Sequence, residues 1–144
     1  MPIKKLGKGF NFPSKVKEWD KTKRQLPRII ANESLNHFLK GFRNGGGQTD
    51  AGRWSDRKRT AKRNAGRSTM IDTGALRRDV RVRRKTFKSI VLGTQSIVYA
   101  RRHNEGLTDR LGRKMPKREF LGDSKKLDKM NLNTILKEID KIMT

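Results

Sequence analysis

Tyr99-Ala100-Arg101-Arg102-His103-Asn104-Glu105-Gly106, followed after a polar excursion by Met115-Pro116-Lys117-Arg118-Glu119-Phe120-Leu121-Gly122, is the most informative part of the chain. Tyr99 and Phe120 carry large apolar surfaces and are expected to anchor a small core, the Tyr99 hydroxyl needing a partner if it is buried. Pro116 has no backbone N–H and biases Met115 toward extended geometry, so Met115 to Phe120 is expected to run as an edge strand or as the exit from one. Between the clusters, Leu111-Gly112-Arg113 sits between Thr108-Asp109 and Met115-Pro116. That arrangement predicts a small projecting hairpin with Gly112 in the turn, where a positive φ costs glycine little. Gly106 and Gly122 punctuate the ends of the two clusters.

Upstream, Val80-Arg81-Val82-Arg83 alternates, and Ile90-Val91-Leu92 is apolar and largely β-branched. The polar run between them makes an antiparallel pair the natural reading, within a sheet of about three to five strands. Alternation turns Val80 and Val82 inward and sets Arg81 and Arg83 outward as a basic stripe. Thr73 is placed to cap a short turn from Ala75, with Gly74 permitting tight backbone geometry before Leu76 and Arg77. Trp54 precedes a wholly polar stretch, Arg57 to Arg67, that has no apolar surface to fold by, and its ring is expected to pin this loop to the core.

The two ends read as helices. Val16, Trp19, Leu26, Ile29, Ile30, Ser34, Phe38 and Phe42 recur mostly at three- and four-residue steps, widened by Leu35 and Leu39. Pro27 would interrupt the hydrogen-bond ladder, so the expectation is a secure helix over Pro27 to Phe42 and a separate or kinked piece over Val16 to Gln25. Asn44 to Asp50 is glycine-rich and expected to be a flexible connector. At the other end, Asp123 or Ser124 caps a helix whose Leu132, Ile135, Leu136, Ile139, Ile142 and Met143 share a face, joined less regularly by Leu127 and Met130. The fold class is therefore α+β: an N-terminal helix, a small antiparallel β-sheet with a projecting hairpin, and a C-terminal helix packed on the sheet. Residues 1–13 read as a flexible basic arm, and 14–144 as one domain.

Composition adds charge. Against 14 Asp and Glu stand 37 Lys and Arg, for a net of +23 and a pI near 11.3. The excess is concentrated, since residues 53–84 hold 12 basic and 3 acidic side chains, whereas 123–144 hold 5 and 4. Such a segment calls for a polyanion or an acidic protein neighbour, and the charge alone leaves both open. Arg53, Arg57, Lys58, Arg59, Lys62, Arg63, Arg67, Arg81 and Arg83 are the candidate contacts. Gly and apolar residues together make up about 40% of the chain, below the usual range, so the core should be thin and burial completed against copies or a partner. Cysteine is absent, which removes disulfides and thiolate chemistry. No long apolar run or signal-like N-terminus occurs, so the expectation is a soluble, unexported chain without a membrane partner.

The two clusters, as Tyr-Ala-x-x-His-Asn-x-Gly and Met-Pro-x-Arg-x-Phe-Leu-Gly, together resemble the virion-morphogenesis or tail-completion proteins of tailed bacteriophages. Asp72-Thr73-Gly74-Ala75-Leu76-Arg77 resembles that family's TG-x-L-R segment, Phe42 with Gly52-Arg53-Trp54 its F, then G-x-W, and Ile90 to Thr94 its intervening strand. The resemblance runs from Phe38 to Lys129. It marks Trp54, Thr73, Gly74, Leu76, Tyr99, His103, Gly106, Pro116, Arg118, Phe120 and Gly122 as structural motif residues. It implies a non-enzymatic, ring-forming component at the neck or upper tail, a hexamer above all, joining or finishing the tail of the virion after assembly in the host cytoplasm. The partners implied are further copies of itself, adjacent neck, connector or tail proteins, and genomic DNA in the channel. Neither the basic 53–84 segment nor the lysine-rich arm is required by the family pattern.

Two other readings compete. His103-Asn104-Glu105 suggests an HNH-type nuclease, but only His37 accompanies it and no cluster at ligand spacing exists, so no catalytic, metal or cofactor residue is assigned. A non-sequence-specific nucleic-acid-binding protein, of the ribosome- or nucleoid-associated type, fits the charge. The chain lacks helix-turn-helix, zinc-finger and RNP patterns, and its 6% aromatic residues sit mostly at core-like positions rather than on a stacking surface.

Overall fold

In the computed structural model, which describes residues 9, 11–57 and 65–144, the first helix runs unbroken past Pro27. Helix α1 spans Phe12–Asn44, 33 residues. Asn11 caps it by accepting from the Ser14 N–H at 3.3 Å, and Gly45 closes it in the left-handed region at φ 72°. Two pieces meeting near Pro27 were expected, because a proline inside a helix costs about 3 kcal/mol. The helix survives because residues on both sides of Pro27 serve one apolar wall: Trp19, Leu26 and Ile30 line it together with Pro27 itself. The arm expected over 1–13 falls mostly outside the described residues, and α1 already begins at Phe12.

The connector after α1 is not the loose tether that its glycines suggest. Gly46 donates to the Gly41 carbonyl at 2.8 Å, Trp54 to Gly45 at 2.9 Å, Gly47 to Gly52 at 2.9 Å and Asp50 to Asp123 at 2.7 Å. Buried His37 bonds the Gln48 carbonyl at 2.8 Å and Ser124 Oγ at 3.1 Å, stitching α1, connector and last helix together. Gly46 is needed here, since a Cβ on it would stand 2.7 Å from the Trp54 indole.

The core is built on rings. Phe42 is fully buried, meets Trp54 edge-on at 5.5 Å and lies 5.6 Å from Phe120. Leu76, Val80 and Ala100 complete the cluster. Trp54 donates its indole N–H to the Glu119 carbonyl at 2.9 Å, which satisfies its polar edge while the ring packs.

Helix α2, Ala75–Asp79, leads into β1, Arg81–Lys85, which pairs antiparallel with β2, Ile90–Gly93, through an irregularity between Val82 and Arg84. Among the described residues the sheet has these two strands, fewer than expected. Met115 to Phe120 runs without joining it. Its backbone finds other partners: Arg118 N–H donates to the carbonyl of His103 on α3, Ala100–Glu105, at 2.8 Å, and Met115 N–H to the Leu107 carbonyl at 3.3 Å. The excursion before it does form a small hairpin, with a Thr108–Lys114 bridge and Gly112 at φ 74°.

Helix α4, Lys125–Met143, is capped by Ser124, whose Oγ accepts from the Leu127 N–H at 3.2 Å. Both α4 and the β1–β2 hairpin pack on α1, which makes the architecture α+β. The apolar face of α4 is wider than its contact. Ile142 is buried and Ile135 and Ile139 are half-buried, while Leu132, Leu136 and Met143 are 55%, 52% and 62% exposed.

Candidate functional site

Three separated motif segments converge on one cleft of about 440 Å³, lined by Arg57, Thr73, Gly74, Tyr99, His103 and Arg118 among others. Gly74 begins α2 in the left-handed conformation at φ 77°, and the hydroxyl of Thr73 accepts from the Ala75 N–H at 3.3 Å. This short helix sends Leu76 into the core. Opposite, α3 ends at Gly106, φ 71°, where a Cβ would stand 2.9 Å from Lys117. Met70, on the rim, is the one non-glycine residue with positive φ among the described residues.

The cleft floor is cationic and internally tied. Arg118 is buried and donates to the Ser55 carbonyl at 3.1 Å and the Asp56 carbonyl at 3.3 Å. Arg57 donates to the carbonyls of Ser68 at 2.6 Å and Ile71 at 3.0 Å. Burial, and then the charge of Arg57, lower the Arg118 pKa, with Asp56 opposing. His103 stands edge-on to Tyr99 at 5.7 Å, and burial followed by the Arg118 charge keeps its pKa below the ordinary imidazole value. Its Nδ1 is buried without a hydrogen-bond partner. Among the described residues no group of His, Asp and Glu is suited to holding a metal. The arrangement is that of a recess between two short helices in which two guanidinium groups and the Asp72 carboxylate are the charged lining.

Thr73, Gly74, Leu76, Tyr99, His103 and Arg118 thus meet at the cleft, whereas Trp54 and Phe120 stand in the core. Tyr99 departs from its expected core position. It is 45% exposed, because α3 buries Ala100 and leaves the ring on the cleft wall. Gly106 and Pro116 border a different hollow with Lys117, and Gly122 abuts the Glu119 carboxylate so closely that a Cβ would displace it. Of the basic candidates, Arg81 and Arg83 are exposed on β1. Arg53 bridges to Gly46, and Arg67 pairs with Asp72 at 3.5 Å. Lys58, Arg59, Lys62 and Arg63 lie outside the described residues. Arg57 is committed to backbone carbonyls, a structural duty that its basic surroundings concealed.

Sequence reasoning missed Asn104 and Asp79. The Asn104 amide holds the Phe120–Leu121 backbone through three hydrogen bonds. Asp79 Oδ2 accepts from the N–H groups of Gln95, Ser96 and Ile97 at 2.9, 2.9 and 3.1 Å. Desolvation pushes its pKa up, but these bonds outweigh it and hold it below the usual carboxylate value. Asn104 had a signal in its place within the His-Asn-x-Gly cluster, whereas Asp79 had none.

This is a small α+β domain whose motif segments close one cleft, with the Arg57, Arg118 and Asn104 side chains spent on backbone groups. Residues 13–140 match the phage virion morphogenesis family, and the chain belongs to that family. The match extends beyond both ends of the Phe38–Lys129 resemblance. Searches of curated proteins and of solved structures found no match. The protein is accordingly a phage structural or assembly component, which fits a place in the virion. No helix of the described residues is long and apolar enough to cross a membrane.

Proposed function

We propose that the protein completes the tail or joins it to the head, acting without catalysis as a ring-forming component at the neck or upper tail. Membership of the virion morphogenesis family over residues 13–140 carries the reading. Exposed Val98, Leu132, Leu136 and Met143 give it physical support, since apolar surface left over on one subunit is completed by contact with another. A hexamer is the ring we favour, with adjacent neck, connector or tail proteins above and below. The net charge of +23 suits a wall facing genomic DNA, with Arg81 and Arg83 on β1 and the 53–67 segment as its contacts. It also makes isolated copies repel, so assembly calls for salt, DNA or a neighbouring ring.

Imaging of intact virions, with mass spectrometry of purified particles, tests the reading. The expected result is a closed ring at the neck or upper tail in stoichiometric amount. Isolated monomers, or absence from that region, overturn it. A chain missing from virions but bound to host nucleic acid without sequence preference would favour a nucleic-acid-binding protein instead.

A further inference from the structure

We propose that an apolar groove at the N-terminal end of α1 is the docking site for an acidic amphipathic segment of a neighbouring virion protein. Two hollows of about 250 and 230 Å³ form it, joined through Trp19 and Ile139, which line both. One wall is the first half of α1, another the last turns of α4, and the third the β1–β2 turn. Phe12 is 67% exposed, Phe87 51% and Trp19 38%, and Trp19 meets Phe87 edge-on at 6.5 Å. Large side chains gathered this way on one concave surface mark an interaction site rather than scattered surface apolarity.

Charge selects the occupant. The ionic side chains lining the groove are Lys15 and Lys88, and no carboxylate lines it. Lys23 holds its ammonium 5.5 Å above the Phe87 ring. Lys15 is bonded to Glu18 at 3.3 Å, which leaves Lys88 and Lys23 as the rim cations for an incoming carboxylate. A second copy of this chain, at +23, brings like charge to a basic rim, whereas a segment with leucines on one face and glutamates beside them satisfies both groove and rim. The concavity takes a ridge of side chains better than the flat face of a bilayer. That the occupant belongs to the virion rests on the function proposed above, while its chemistry rests on the groove alone.

The test uses the full-length protein and two synthetic helical peptides with the same leucine spacing, one carrying glutamate and the other lysine at the remaining positions. Trp19 lies in the groove and Trp54 in the core, so a change in emission reports groove occupancy. The expected result is a saturable blue shift and protection from acrylamide with the glutamate peptide, with the lysine peptide at least about tenfold weaker. Phe87→Glu should abolish the difference, with Val16→Glu as a second variant should the first fold poorly. Equal binding of both peptides, or binding of neither, overturns the proposal. So does a Trp19 already shielded in the free chain and uncovered by removing residues 1–10, which would put the arm in the groove. Self-association lost in Phe87→Glu, or anionic vesicles binding in place of the peptide, overturns it too. Absence of the protein from virions would defeat the functional reading while leaving the peptide result intact.

Discussion

Asn104 pairs with the backbone of Leu121 in both directions, its Oδ1 accepting from the Leu121 N–H at 3.1 Å and its Nδ2 donating to the Leu121 carbonyl at 2.9 Å. The same oxygen accepts from the Phe120 N–H at 2.9 Å. One amide oxygen shared by two successive N–H groups fixes a bend at Phe120 and Leu121, which turns the chain toward Gly122 without the help of a strand partner.

Asn104→Ala should therefore destabilise the protein by about 2–4 kcal/mol, since it strands part-buried donors and an acceptor at once. Asn104→Asp should also destabilise, because it replaces the donor facing Leu121 by a charged acceptor. Urea unfolding measures both, and a loss under about half a kcal/mol for the alanine variant would contradict the clamp.

Phe120→Ala should cost about 3–5 kcal/mol, the range for a buried aromatic ring. Tyr99→Ala should cost less than about 1.5 kcal/mol, because a ring 45% exposed gives up little apolar burial. Denaturant midpoints of the two variants side by side decide whether Tyr99 belongs to the cleft wall or to the core.

Gly106→Ala and Gly45→Ala separate two costs. Both glycines close helices, at φ 71° and 72°, so each alanine meets a left-handed penalty of about 1–2 kcal/mol. Only at Gly106 would the new methyl also press on Lys117, while nothing lies within 4 Å at Gly45. Gly106→Ala should be the more damaging in thermal melts, and equal losses would mean that Lys117 moves aside freely.

His103 should make stability fall on mild acidification. Its folded pKa is lowered, first by burial and then by Arg118, so below about 6.5 the unfolded chain takes up a proton that the folded chain refuses. The stability is present above the unfolded value and drains away as pH falls through it toward the folded one. His103→Gln should flatten the slope between about pH 7 and 5, and an unchanged slope would place the titration elsewhere.

If the protein meets DNA through the 53–67 segment, affinity should fall steeply with salt and show no sequence preference. Replacing Lys58, Arg59, Lys62 and Arg63 with glutamine should reduce the slope by up to about 0.9 per lost phosphate contact. Arg57→Gln should act differently, loosening the Ser68 and Ile71 carbonyls and lowering the melting temperature. Filter binding across a salt series, paired with melts, tells the two roles apart.

Periodicity, caps and charge were legible from residues alone because each depends on neighbours within a few positions. The Ser124 cap, the β1–β2 pairing and Gly112 in its turn all follow from local stereochemistry. What depended on distant partners was not legible. Pro27 stays helical because the hairpin and α4 line the same wall as the residues flanking it, an outcome that overrides local propensity. The glycine-rich connector is ordered by His37 on the helix before it and by Asp123, far from it in sequence. Tyr99 and Phe120 both carry large rings read as core anchors, and the placement of α3 sends one to the cleft and the other to the core. Local rules set which elements form, whereas the competition of all side chains for one small interior decided which faces were buried and which were left for a partner.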